Sequence, residues 1–151
     1  MACRDETTGG PPWPNPLFLN TVLLGGTVAE KIAAAGDAGF DQIELWREDV
    51  EQFEGGADRL KEQITQQALG LTDLQVLSDF DGAPADKRDA KRRDAEAMLD
   101  TAAKVGADTV LAPASTDQNC DSGRIAGDMR WFTRIASTRG LRIAYEGMAW
   151  S

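Results

Sequence analysis

Apolar positions in this chain follow two alternating rhythms. Short runs rich in leucine, valine and isoleucine alternate with longer stretches in which apolar residues recur at three- and four-residue spacing. The first kind reads as buried strand and the second as amphipathic helix. A strand is predicted over residues 17–22, running into Gly25-Gly26 and then Thr27-Val28-Ala29-Glu30. That tetrad is a capping box, in which hydroxyl and carboxylate satisfy the free amides at a helix start. The helix runs to about Ala38 with Val28, Ile32 and Ala35 on one face, and Gly39 is its left-handed stop.

The same grammar recurs. Gly39 leads into a strand at 43–46, followed by a helix with Leu60, Ile64 and Ala68 at fourfold spacing. Gly70 leads into a strand at 74–77, then a helix with Ala95, Met98, Leu99 and Ala102 on one stripe. Gly106 leads into a strand at 109–112, then a helix with Ile125, Met129, Phe132 and Ala136. Gly140 opens a last strand at 141–146. Residues 1–16, with Pro11-Pro12, Pro14 and Pro16, form an irregular arm, because proline at that density suits neither helix nor central strand.

Strands alternating with helices require a parallel sheet with right-handed crossovers. An open doubly wound sheet would carry G-x-G-x-x-G after its first strand, and Gly25-Gly26-Thr27 does not supply it. A (β/α)₈ barrel places its chemistry at strand ends. Polar groups collect there in this chain: Glu44 and Glu48, Asp79 and Asp81, Ser115 and Asp117, and Glu146. Residues 17–151 therefore read as a parallel barrel of TIM type that stops after its fifth strand. A full barrel takes typically about 250 residues. The expectation is either the N-terminal half of a longer enzyme, lacking its C-terminal half, or a half-barrel that closes with another copy or a partner.

Charge and composition narrow the chemistry. A formal net charge of −9 opposes nucleic acid and anionic membranes. There is no apolar run of membrane length, and two cysteines without a CxxC pair suggest neither a disulfide framework nor a zinc site, so a cytoplasmic location is expected. Histidine is absent, which removes the commonest acid–base group. Glu146 closes an apolar strand, an expensive place for a carboxylate unless it is paired or binds a metal. Glu44, between Ile43 and Leu45, points either into the barrel, toward substrate, or to a basic partner in the core. Asp79 and Ser115 are candidate substrate contacts, although turn acids often serve their own backbone. Trp46 and Trp150 are candidate pocket walls.

Asn20-Thr21-Val22-Leu23-Leu24-Gly25-Gly26-Thr27, Gly39-Phe40-Asp41-Gln42-Ile43-Glu44-Leu45, Asp79-Phe80-Asp81-Gly82 and Leu141-Arg142-Ile143-Ala144-Tyr145-Glu146 occur in an order and spacing that resemble the sugar phosphate isomerase/epimerase superfamily. These are the xylose isomerase-like TIM barrels, and within them the likeness is to bacterial 3-dehydroshikimate dehydratases. The resemblance implies a divalent metal (magnesium, manganese or cobalt) held by two glutamates, an aspartate and a histidine or glutamine, with Glu146 the first ligand. It implies a small carbonyl substrate, with dehydration or isomerisation begun by proton removal beside the metal-polarised carbonyl. The remaining ligands and the catalytic base are expected beyond Ser151, so the 151-residue chain alone is expected to hold no metal and to turn nothing over. One position departs from the dehydratases: Ser78 stands where they carry arginine before the Asp-Phe pair. Serine does not supply the fork that recognises a carboxylate.

Overall fold

The structure, a computed structural model, describes residues 15–148. Apart from residues 15 and 16, the expected proline-rich arm lies outside the described residues, as does Trp150. Five strands form one sheet: β1 (Phe18–Asn20), β2 (Gln42–Trp46), β3 (Gly70–Gln75), β4 (Thr109–Pro113) and β5 (Arg142–Glu146). Each strand lies beside its predecessor in sequence, and every neighbouring pair is parallel. That order is the barrel order, whereas a doubly wound sheet reverses its direction of growth part-way. The connecting helices are α1 (Val28–Asp37), α2 (Arg47–Gln52), α3 (Gly56–Gln66), α4 (Arg88–Val105) and α5 (Ile125–Ser137).

One face of the sheet is packed against helices. Ile43, Leu45, Leu74, Val110 and Ala112 share a buried cluster with Ile32, Leu60, Leu99 and Phe132. Full burial of one such aliphatic side chain is worth about 1.5–3 kcal/mol. Because side chains alternate, a one-residue slip would turn this whole set away from the helices, so the facing is strongly specified. The alternate residues, among them Glu44, Trp46, Gln75, Pro113 and Glu146, fall on the inner face.

In β3 a bulge adjusts that alternation. Ile43 pairs with Leu71 and Glu44 with Asp73, so Thr72 is the extra residue. Leu71 and Leu74 both pack on the helix-side core. Without the bulge, two residues three apart would face opposite ways; with it, Asp73 and Gln75 join Glu44 on the inner face.

Several boundaries differ from expectation. Val22 belongs to a 3₁₀ turn (Thr21–Leu23), because the Asn20 carboxamide accepts the Val22 amide at 3.0 Å and the fully buried Thr21 hydroxyl accepts the Trp46 amide at 3.0 Å. The third strand begins at Gly70, so the apolar run 74–77 straddles its end; Leu77 continues the contact by donating to the Leu111 carbonyl at 3.0 Å. The Gln75–Val76 peptide is cis. Helix α2 has no counterpart in the predicted elements, since Val50 is its only apolar residue. Finally, Ala68 lies beyond α3, and it takes the left-handed stop expected of Gly70, with φ 56°. The Ala68 amide donates to Thr65 O and the Leu69 amide to Ile64 O, at 2.9 and 3.2 Å, which is the Schellman pattern. An alanine there carries a Cβ clash that glycine lacks. Ala68→Gly is therefore expected to raise stability by roughly 0.5–1 kcal/mol after glycine's entropy cost. Urea unfolding would show this as a higher midpoint at unchanged slope.

Candidate active site at the strand ends

The carboxyl ends of the strands surround a pocket of about 410 Å³. Asn20 comes from the end of β1, Trp46 from β2, Gln75 from β3, Pro113 from β4 and Glu146 from β5. Ser78 and Asp79 from the loop after β3 and Thr116 from the loop after β4 complete the rim. Glu146 pairs in register with Pro113, and its carbonyl accepts the Ala114 amide at 2.8 Å. The backbone of the last strand is thus fixed where the side chain enters the mouth, and that side chain is exposed. Its neighbour Tyr145, on the opposite face, donates its hydroxyl to Asp81 Oδ2 at 2.8 Å. Burial, then the hydrogen bond and charge of Asp81, push the Tyr145 hydroxyl up to about 12. Asp81 is itself buried, with Oδ1 unpartnered among the described residues.

The other expected site residues divide. Asp79 lines the mouth, yet its Oδ1 accepts from the Thr116 amide (2.8 Å), the Thr116 hydroxyl (3.2 Å) and the Ser115 hydroxyl (3.4 Å). Asp79 sits at φ 51°, and it ties the two loops after β3 and β4 together. Ser115 is buried in that tie and does not line the pocket. Beyond it, Asp117 pairs with Lys87 at 2.7 Å, which lowers the carboxyl and raises the ammonium. Glu44 lies below the mouth on the inner face, where Gln75 Nε2 donates to its Oε2 at 3.2 Å. Trp46 is a wall of the pocket. Asn20 and Gln75 are rim residues that patterning alone did not single out; only their strand-end parity hinted at them.

The loops that carry these groups are anchored from outside. Phe80 lies 4.8 Å from Phe132 and 5.9 Å from Trp131, ring centre to ring centre, and the Gly82 amide donates to Asp128 at 3.1 Å. Packing on α5 therefore sets the height of Ser78 and Asp79 at the mouth.

A family profile for the xylose isomerase-like TIM barrel matches residues 32–151. The chain belongs to that family. It is 31% identical over 132 residues to a 3-dehydroshikimate dehydratase of Pseudomonas putida, covering 86% of this chain and 21% of the relative. It superposes with a TM-score of 0.82 and 30% identity on a xylose isomerase-like TIM barrel/4-hydroxyphenylpyruvate dioxygenase fusion protein, over 89% of this chain and 22% of the other. The IolI protein with a bound zinc atom shares the fold at a TM-score of 0.74 and 20% identity, over 89% of this chain and 52% of that one. The chain thus spans about a fifth of the length of the curated relative and part of a barrel.

Among the described residues, this portion of a xylose isomerase-like barrel offers a metal one acid at the mouth without a side-chain partner, Glu146. Among the described residues no group of three or more His, Cys, Asp or Glu is arranged to hold an ion. Glu146 is exposed, directed into the pocket and without a side-chain partner among the described residues, which suits one ligand position. One carboxylate does not hold magnesium or manganese against water, since such sites gather several oxygens. Among the described residues no helix is long and apolar enough to cross a membrane.

Below the mouth the inner face carries its own electrostatic signature. Asp73 is buried opposite Glu44, and its Oδ1 has no partner among the described residues. Burial, and then the Glu44 charge, push its carboxyl up to about 6 from 3.8. A carboxyl whose folded pKa is raised contributes stability that is present at pH below about 4 and lost as the pH climbs through about 6. Asp73→Asn is expected to flatten that decline and to raise stability at neutral pH by roughly 1 kcal/mol, allowing for screening by water on the open face. Thermal unfolding across the acid range measures it; an unchanged pH profile would contradict the assignment.

Proposed function

We propose that this chain supplies the first five strands of a metal-dependent lyase that dehydrates a small, hydroxylated cyclic ketone of the 3-dehydroshikimate kind. The observation that carries the reading is a free carboxylate, Glu146, aimed into the mouth of a barrel whose sequence is 31% identical to a dehydratase of that name. In such a dehydration the proton beside the carbonyl is taken by a base, the β-hydroxyl departs with a proton as water, and a carbon–carbon double bond forms. A divalent cation, when bound, supplies the positive charge that makes the carbonyl oxygen a better electron acceptor.

This chain's residues prepare the substrate for that step. Glu146 provides one oxygen of the cation's ligand set. Gln75, steadied by Glu44, and Asn20, whose carboxamide also caps the first turn, present amide groups to hydroxyls at the rim. Trp46 closes one wall and limits water. The Asp79–Thr116 tie keeps the two rim loops at fixed separation, so the pocket is shaped before the substrate arrives. The base is assigned to no residue of this chain.

A second reading, isomerisation or epimerisation of a ketose, is favoured by one observation. Ser78 occupies the rim where the dehydratases it resembles carry arginine, and no lysine or arginine lines the pocket among the described residues. A rim of amides and hydroxyls suits a neutral polyol better than a carboxylate.

The deciding assay uses the polypeptide that carries this chain together with the remaining strands. It would follow water loss from 3-dehydroshikimate, and interconversion of a few ketoses, with magnesium and with manganese. Metal-dependent dehydration is expected, and Glu146→Gln should lower metal affinity by more than about 100-fold, the upper range for groups one shell further out. Ketose turnover without dehydration would move the assignment to the second reading. An unchanged metal response in the Glu146 variant would remove that residue from the ligand set.

A further inference from the structure

Glu146 differs from the other strand-end residues in what stands behind it. Trp46, Gln75, Pro113 and Glu146 each close a strand on the inner face, and the residue before each lies on the helix side. In β2, β3 and β4 that preceding residue is Leu45, Leu74 or Ala112, each buried in the core between sheet and helices. Apolar packing therefore holds those strand ends. In β5 the preceding residue is Tyr145, which is 45% exposed, and Ile143, two residues earlier, is only partly buried. Register with β4 settles which face Glu146 occupies. Burial does little to hold the tip of the strand, so a polar contact must.

That contact is the Tyr145 hydroxyl, which donates to Asp81 Oδ2 at 2.8 Å. A tether fixes a strand only if its far end is fixed, and Asp81 is 1% exposed. Phe80 before it packs on the rings of Trp131 and Phe132. Gly82 after it donates its amide to Asp128 and accepts the Asp121 amide at 2.8 Å. The Asp81 carbonyl accepts the Cys120 thiol at 3.5 Å. Gly82 takes φ 65°, and a Cβ there would stand 2.6 Å from Cys120 Sγ and 2.8 Å from Asp121 O. Glycine at this position lets the loops after β3 and β4 close on one another, with Asp81 clamped between them.

The anchor itself destabilises the fold. Asp81 Oδ1 is buried without a partner among the described residues, and an acceptor so placed has lost its water for nothing. What the carboxylate gives in return is a stronger hydrogen bond to the tyrosine than a neutral oxygen would make. Neighbouring side chains leave a strand in opposite directions, so any rotation of the strand tip that moves Tyr145 swings Glu146 with it. We propose that Tyr145 and Asp81 are positioning residues for Glu146. Their hydrogen bond sets the angle at which the Glu146 carboxylate enters the mouth, and so how tightly it holds a divalent cation. The inference rests on the reading of Glu146 as a cation ligand and extends it to two residues that do not line the pocket.

The test uses the polypeptide that carries this chain together with the remaining strands. Tyr145→Phe keeps the ring and removes only the hydroxyl. It should weaken manganese binding about tenfold in calorimetric titration, the lower range for groups that orient a ligand. Asp81→Ala should do the same, and the double variant should lose little more than either. Asp81→Asn, which keeps an oxygen for the tyrosine, should recover most of the affinity. In the metal-free protein, hydrogen exchange at the Ala114 amide, which donates to the Glu146 carbonyl, should quicken about tenfold in Tyr145→Phe, as fits the loss of one hydrogen bond. Exchange in β1 to β3 should stay as it was. Manganese affinity lost in Glu146→Gln but undiminished in Tyr145→Phe would overturn the positioning role alone. Exchange that quickens throughout the sheet would reduce the pair to general support of the fold, and overturn it too. Unchanged manganese affinity in Glu146→Gln would instead remove the ligand role of Glu146, and the proposal with it.

Discussion

In a strand, successive side chains face opposite ways, and that period of two governs what this sheet can offer on its inner side. The helices claim Ile43, Leu45, Leu74, Val110 and Ala112. Once those are buried, the facing of Glu44, Trp46, Pro113 and Glu146 is no longer free. The energy that holds Glu146 at the mouth is therefore spent elsewhere, in aliphatic packing on the far side of the sheet. Among the described strands the alternation is interrupted at Thr72, where the bulge lets Leu71 and Leu74 both face the helices while Asp73 faces inward beside Glu44.

Much of this was legible in the sequence because it is local. The capping box of Thr27 and Glu30 forms as written, with the Thr27 amide on Glu30 Oε2 at 2.8 Å and the Glu30 amide on the threonine hydroxyl at 3.3 Å. Gly39, Gly106 and Gly140 all take positive φ at helix ends. The stripes of Leu60 with Ile64, and of Ala95, Met98, Leu99 and Ala102, are buried as their spacing requires. What escaped was set by contacts between distant residues. Nothing local marks Thr72 as a bulge, and nothing in Gln67-Ala68-Leu69 says that alanine will accept a left-handed turn two residues before an available glycine. Helix α2 hid because one apolar residue makes no stripe. Asp79 read as a rim acid open to substrate, whereas its Oδ1 is occupied by a loop 37 residues away in sequence.

At the mouth, Gln75, Asn20 and Asp79 already hold the scaffold through their hydrogen bonds, while the Glu146 side chain has no partner among the described residues. Such an arrangement suits chemistry, where positions must be set before the substrate binds.

Whether a divalent cation is held at Glu146 decides the proposed function most directly. Crystals of a polypeptide in which this chain is followed by three further barrel strands, soaked with manganese and examined by anomalous scattering, test it. A peak within about 2.0–2.3 Å of Glu146, on the face shared with Gln75 and Trp46, is the predicted result. A peak elsewhere with Glu146 left bare, or a Glu146 side chain lying among the helices, would contradict it.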